Sequence, residues 1–318
     1  MRASIPPVSL LGVFLVLCTL SLMTGAQQIQ WAQLTSWSGE AWLTLTASRV
    51  PRLIALILTG VGLSVCGVLI QHIVRNKFVE PATSGGLDAA KLGILIALSL
   101  IPEAGTISRM VFAILFCFVA SVVFIAIVRH IQYKNSVLIP VIGLMYGGVL
   151  SAIAEFYAYQ NNILQSMQGW MLGDFSKVVE GNYEGIYLIL PAVVLTYLFA
   201  QRFTLVGMGE GIATSLGLNY TATVTLGLLL VAVTVSTTVI VVGAIPFVGL
   251  VIPNLVALYC GDNLRRTLPI VALGGASLLL LCDILGRLIN YPFEVPIGLM
   301  AGGIGGILFL LVLFWRHP

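Results

Sequence analysis

The chain's 318 residues are 59% hydrophobic and only 8% charged, against roughly 25% charged in a soluble domain, which excludes a soluble globular fold. Its net charge of +3 is spread over connecting segments, which argues against nucleic-acid binding. At roughly 20 residues per span, the apolar content allows about ten transmembrane helices, an all-α polytopic membrane protein forming one domain over 1–318.

In chain order, Arg2 precedes the apolar run Val8 to Met23, followed by Thr24-Gly25-Ala26. The pattern partly resembles a cleavable signal peptide, but the run is longer than a usual signal core and reads as a retained first helix. Apolar runs and their breaks place helices near 8–26, 49–71, 88–102, 108–129, 136–157, 184–203, 220–243, 247–260, 267–288 and 296–315. The eighth is short, starts after Pro246 and contains Pro253, so a broken or tilted helix is expected there. With the N-terminus inside, Arg2, Arg75, Lys77, Lys91, Arg129, Lys134, Arg202, Arg265, Arg266 and Arg316 fall on the cytoplasmic side. Only Arg49, Arg52, Arg109, Lys177 and Arg287 fall outside, so the positive-inside rule supports this orientation, with both termini cytoplasmic.

Arg49-Val50-Pro51-Arg52 opens the second helix, with the proline tolerated near a helix start. Two arginines at a membrane edge anchor a helix against headgroups. With Arg287 near the outer end of the ninth helix, they also form a basic face suited to acidic groups on a docking partner. Asp283, one turn before Arg287, competes by pairing with it. Gly143 and Gly147 form one GxxxG, extended by Ser151, and Gly302 and Gly306 form another. Such spacing serves close packing inside one bundle or between two subunits. Ser84, Thr83, Thr234, Ser236, Thr237 and Thr238 offer hydroxyls, but helices often satisfy these on their own backbone.

Between two long apolar spans lies a polar, glycine-punctuated island over 204–219, TLVGMGEGIATSLGLN. It reads as a short helix outside the bilayer, with Glu210 in its first turn, Ile212 and Leu216 on one face, and Gly217 ending it. Such a helix offers itself to a partner protein. No Gly-x-x-x-x-Gly-Lys loop is present, and Gly207, Gly209 and Gly211 precede a helix without strand or lysine, so the chain is expected to hydrolyse no ATP. Glu155, Asp88 and Asp283 fall toward helix ends. The lack of mid-helix carboxylates argues against a proton-driven carrier. His72, His130 and His317 lack metal-ligand spacing. The five cysteines (Cys18, Cys66, Cys117, Cys260, Cys282) lie in apolar runs with no CxxC pair, as small buried residues. A channel or secondary transporter lacks a visible ion site, and a membrane enzyme lacks a catalytic constellation.

Several segments carry a family resemblance: RVPR at Arg49 to Arg52, QHIVRNKFVEP at Gln71 to Pro81, and GEGIATSLGL at Gly209 to Leu218. The others are GAIPFVGLVIPNLVAL at Gly243 to Leu258, RRTLP at Arg265 to Pro269, and VPIGLMAGGIGGILFLL at Val295 to Leu311. In this order and spacing, the chain resembles permease subunits of the iron-siderophore and cobalamin ABC importers from about Arg49 to Phe314. The resemblance implies a type II ABC importer permease in the cell inner membrane. Two such subunits, identical or homologous, flank one pathway with two cytoplasmic ATPases and a periplasmic or lipid-anchored substrate-binding protein. ATP and magnesium belong to the ATPase, leaving this subunit without cofactor, metal or catalytic residue. It also implies docking of the binding protein on Arg49, Arg52 and Arg287, and ATPase coupling through Gly209, Glu210, Ala213, Leu216 and Gly217. It favours a subunit interface at Gly143, Gly147, Gly302 and Gly306.

LDAAKLG, Leu87 to Gly93, is similar to the branch that handles catecholate or mixed-type ferric siderophores. Cobalamin, haem and other metal chelates remain alternative cargoes. Three departures from the family pattern weaken any transfer of a cobalamin path. Asn76-Lys77 replaces Asn-Pro, Pro253-Asn254 replaces Pro-His, and Gly305 to Phe309 lacks the usual proline.

Overall fold

The computed structural model describes residues 7–25, 39–101, 103–131 and 138–316. Arg2, Lys134 and His317 lie outside them. Helix α1 spans Pro7–Met23; α2, Gly39–Thr44, runs through a π-helical turn, Leu45–Arg49, into α3, Val50–Val74. Then follow α4 (Gly86–Leu100), α5 (Thr106–His130), α6 (Leu138–Gln160) and α7 (Leu164–Trp170). A 3-10 turn, Glu184–Leu188, leads into α8 (Ile189–Leu198), α9 (Ala200–Met208) and α10 (Glu210–Ser215). The chain ends with α11 (Tyr220–Val241), α12 (Val248–Cys260), α13 (Leu264–Ile289) and α14 (Ile297–Arg316). No strand occurs among the described residues.

Each of the ten expected spans falls on helix, with ends shifted by a few residues. Five helical stretches are long and apolar enough to cross a membrane alone: Trp42–Val74, α5, α6, α11 and α13. Glu184–Leu198 and α9 form a sixth, bent by 64°. The α1, α12 and α14 helices contribute shorter apolar stretches. At 1.5 Å per residue, the 15 residues of α4 reach only about 22 Å, short of a hydrocarbon core of about 30 Å.

Helix α3 occupies the centre, buried along most of its length between α11, α12 and α13. Glycine lets backbones meet there. A Cβ on Gly67 would overlap the Gly249 carbonyl of α12, and one on Gly60 would stand 2.5 Å from the Gly275 carbonyl of α13. Without a hydrophobic drive between helices in lipid, such contact supplies dispersion and weak C–H···O attraction.

The short helices result from chain that folds back inside the bundle. Arg75, left-handed at φ +58°, ends α3, and the segment 76–85 re-enters instead of staying at the edge. Its tip sits on α6, where a Cβ on Gly143 would overlap the Thr83 carbonyl and one on Gly147 would stand 3.1 Å from Asp88 Oδ2. Three polar contacts tie the end of α3 and this stretch to α12 and its N-cap. Gln71 Nε2 donates to the Gly249 carbonyl (3.3 Å), Asn254 Nδ2 to the Lys77 carbonyl (2.8 Å), and the Phe247 N–H to the buried Glu80 carboxylate (3.2 Å). Two of the family departures, Lys77 and Asn254, therefore touch. Non-helical backbone at membrane depth survives because protein surrounds it.

Gly67→Val is expected to destabilise the protein by about 1–3 kcal/mol through overpacking. Gly12, with open space around it, should accept valine almost neutrally. Thermal unfolding of the two variants in detergent checks the contrast.

Candidate functional site

At one end of the bundle the chain turns from α8 into α9 and then into α10. Gly209, at φ +108°, separates α9 from α10 and lies against Arg75, whose Nη1 would be 3.1 Å from a Cβ there. Helix α10 closes with a Schellman arrangement. Gly217 has φ +80°, its N–H donates to the Thr214 carbonyl (2.9 Å), and the Leu218 N–H donates to the Ala213 carbonyl (3.0 Å). Asn219 then caps α11, accepting the Ala222 N–H on Oδ1 (3.0 Å).

Both ends of this short helix are fixed, and Ala213 is fully buried beneath it. Ile212 and Leu216 remain 49% and 62% exposed, and Met208, at the end of α9, is 52% exposed. Ile212 and Leu216, four apart on α10 and its C-cap, form a short apolar stripe that nothing in the described chain covers. Glu210 lies 3.8 Å from Arg129 Nη2 at the end of α5, and Arg129 also stands 5.2 Å from the Tyr220 ring centroid. An exposed pair of this kind is worth about 0–1 kcal/mol, so the caps and Ala213 hold the helix.

At the opposite end, Arg49, Arg52 and Arg287 converge, but their side chains turn inward. All three are buried. Arg52 donates to Asp283 Oδ1 from Nε (3.1 Å) and Nη2 (2.7 Å), and to Glu294 Oε2 from Nη1 (2.7 Å). Arg287 pairs with Asp283 Oδ2 and donates to the Thr24 carbonyl (2.6 Å). Arg49 Nη1 donates to the Leu22 carbonyl (2.6 Å). Two guanidiniums thus meet the open carbonyls at the C-terminal end of α1, where positive charge is favoured. Asp283 stands between two arginines and is fully buried. The Asp283–Arg287 pairing expected as a competitor to docking is present.

Of the paired glycines, Gly143 and Gly147 meet neighbours within their own chain. Both are turned into their own chain by the 76–85 tip, so α6 uses them for an internal contact. Gly306 has open space around it, and Gly302 meets only Pro246 Cγ at 3.7 Å. The hydroxyls of Thr234 and Thr238 bond carbonyls one turn back, whereas Ser236 Oγ and Thr237 Oγ1 are buried without a hydrogen-bond partner among the described residues.

The sequence reading missed a cluster within the span. Lys91, assigned there to the cytoplasmic edge, is buried, and its Nζ donates to Ser151 Oγ at 2.6 Å. It stands 3.1 Å from Asp88 Oδ1 and 3.7 Å from Glu155 Oε1. Ser151 Oγ in turn donates to Glu155 Oε1 (2.9 Å). Asp88 does lie in the first turn of α4, but that end is inside the bundle, beside Gly147 of α6. The spacings Asp88–Lys91 and Ser151–Glu155, i,i+3 and i,i+4 on helices, were the available signal.

The model of the FecCD transport family matches residues 13–315. The chain belongs to that family. It is 62% identical to the ferric-anguibactin transport system permease protein FatD of Vibrio anguillarum, covering 94% of this chain and 96% of that one. To the petrobactin import system permease protein YclN of Bacillus subtilis it is 43% identical, covering 96% of each. Its fold matches a metal-chelate type ABC transporter in an inward-facing conformation with a TM-score of 0.80, at 24% identity over 97% of this chain and 99% of that one. This family member is an all-α, multi-pass membrane permease.

Asp283→Ala leaves buried Arg287 without its carboxylate and Arg52 with Glu294 alone, and is expected to cost about 3–5 kcal/mol. Chemical or thermal unfolding of the purified subunit measures it, with Ser21→Ala, which keeps the ion pairs, losing far less.

Proposed function

We propose that this permease is the membrane-spanning subunit of an ATP-driven importer that moves a ferric siderophore from the periplasm to the cytoplasm, with both termini cytoplasmic. The observation that carries this reading is the exposed Ile212–Leu216 stripe on a short helix closed at its C-terminal end by Gly217. It gives an ATPase a firm apolar surface to push. The cargo follows from relatives whose names specify ferric-anguibactin and petrobactin. A second permease copy or homologue completes the pathway, with Gly302 and Gly306 at the subunit interface. Two ATPases bring ATP and magnesium, and this subunit takes no cofactor. Gly209, Glu210, Ala213, Leu216 and Gly217 form the coupling element, Gly209 and Gly217 setting its ends and Ala213 its seat.

Leu216→Asp places a charge in the stripe without disturbing a buried group. It should reduce siderophore uptake at least about tenfold and uncouple ATP hydrolysis, while the subunit still inserts and assembles. Uptake into vesicles supplied with ATPase, ATP and binding protein measures this. Normal transport-linked hydrolysis in that variant would exclude coupling through α10.

Docking of the substrate-binding protein at Arg49, Arg52 and Arg287 has to compete with the internal partners of these residues. Glu294, whose side chain is 30% exposed, is the most accessible of the internal carboxylates. Acidic groups of the binding protein would displace it from Arg52. Glu294→Gln should therefore strengthen binding-protein affinity by a few-fold at low salt, and the gain should fade as salt rises. Identical affinity of wild type and variant at low salt would leave these arginines as purely internal staples.

A further inference from the structure

Where the ends of α3 and α5 meet the starts of α6 and α11, a cavity of about 510 Å³ opens at the edge of the span. Four helix termini at one level place it at the membrane surface. Arg75, just past the end of α3, and Arg129, next to last in α5, line it. The Arg75 side chain is exposed, and its guanidinium has no hydrogen-bond or ion-pair partner among the described residues. Arg129 lies over the Tyr220 ring, which steadies it, and its one carboxylate neighbour among the described residues is Glu210, at 3.8 Å. Glu210 also lines the cavity, so these three residues leave one positive charge in excess.

Below the arginines the walls are apolar. Ile125 and Val128 stand within one turn of Arg129 on α5, and Ile139 and Ile142 belong to the first turns of α6. At 1.5 Å per residue, all four lie within about 8 Å of their helix ends. Of the five long spans, α5 and α6 are the least covered by the rest of the chain, 33% and 17% buried. The walls therefore continue into surface that faces lipid. A soluble anion gains nothing from this isoleucine-lined floor, and a neutral apolar molecule gains nothing from the arginines. A molecule with a negative head and a hydrocarbon tail uses both.

We propose that this cavity binds an anionic phospholipid, its phosphate shared by Arg75 and Arg129 and its first methylene groups against Ile139 and Ile142. Guanidinium forks match phosphate oxygens in geometry as well as charge. A zwitterionic head would bring an ammonium toward two guanidiniums, so the site prefers lipids of net negative charge. The phosphate competes with Glu210 for Arg129, which gives the lipid a bearing on α10. That consequence rests on the importer reading; the binding itself does not.

The test titrates the purified permease in detergent with phosphatidylglycerol or with phosphatidylcholine of the same chains, and counts bound lipid by native mass spectrometry. Phosphatidylglycerol is expected to bind more tightly. The Arg75→Gln, Arg129→Gln double variant should weaken it about tenfold or more, the range of a charged hydrogen bond. A matched control is Arg265→Gln, Arg266→Gln, which removes the same charge at the same end of the molecule from exposed residues outside the cavity. It should leave the affinity unchanged, and Glu210→Gln should raise it a few-fold by removing the competitor. Equal losses in the two double variants would reduce the binding to diffuse surface attraction and overturn the site. Equal affinity for the two lipids, or displacement of phosphatidylglycerol by excess inorganic phosphate, would overturn it as well. An unchanged affinity in Glu210→Gln would remove the bearing on α10.

Discussion

Direct backbone contact along α3 is the constraint on which the rest of the bundle depends. Lipid tails are as apolar as leucine, so helices in a membrane gain little from hiding apolar side chains from one another. Close approach at Gly60–Gly275 and Gly67–Gly249 supplies attraction that side-chain burial does not. It also sets the depth of α12, because Gly249 lies at the beginning of that helix and Gly67 lies well along α3. The extended stretch before α12 and the re-entrant 76–85 segment are then forced to share one polar interior, where Glu80 accepts the Phe247 N–H and Asn254 reaches the Lys77 carbonyl.

The two ends of the molecule solve opposite problems with charge. At the arginine end, three cations are drawn inward, two of them onto the end of α1, and Asp283 pairs with Arg52 and Arg287. Removing any one member exposes the others to an environment that tolerates no unpaired charge. At the α10 end, charges stay at the margin and apolar side chains are presented instead. One end is locked by internal ion pairs and the other leaves apolar side chains open.

Much of this was legible in the sequence. The spans followed from hydropathy because a helix is the only open-chain structure that satisfies its backbone in lipid. The α10 helix followed from Glu210, the Ile212–Leu216 spacing and the stop at Gly217, all of them local signals. The rest depended on distant pairing. Arg52 meets Asp283, 231 positions away, and nothing local to either residue indicates that the arginine turns inward. The depth of Lys91 was hidden for a related reason. The residues of 75–85 read as an ordinary polar loop, and composition does not say whether a loop stays at the surface or folds back against Gly143 and Gly147.

Exposed apolar side chains lie on both sides of the joint at Gly209, Met208 at the end of α9 and Ile212 and Leu216 on α10 and its C-cap. A body that seats all three side chains bridges that joint as a splint bridges a fracture. While it is seated, α9 and α10 turn as one rigid arm, and the 64° elbow before α9 becomes the next place able to bend. Once it is released, the flexible point returns to Gly209, beside Arg75. A partner seated across Gly209 would therefore shift the next available bend along the chain, from Gly209 to the 64° elbow before α9.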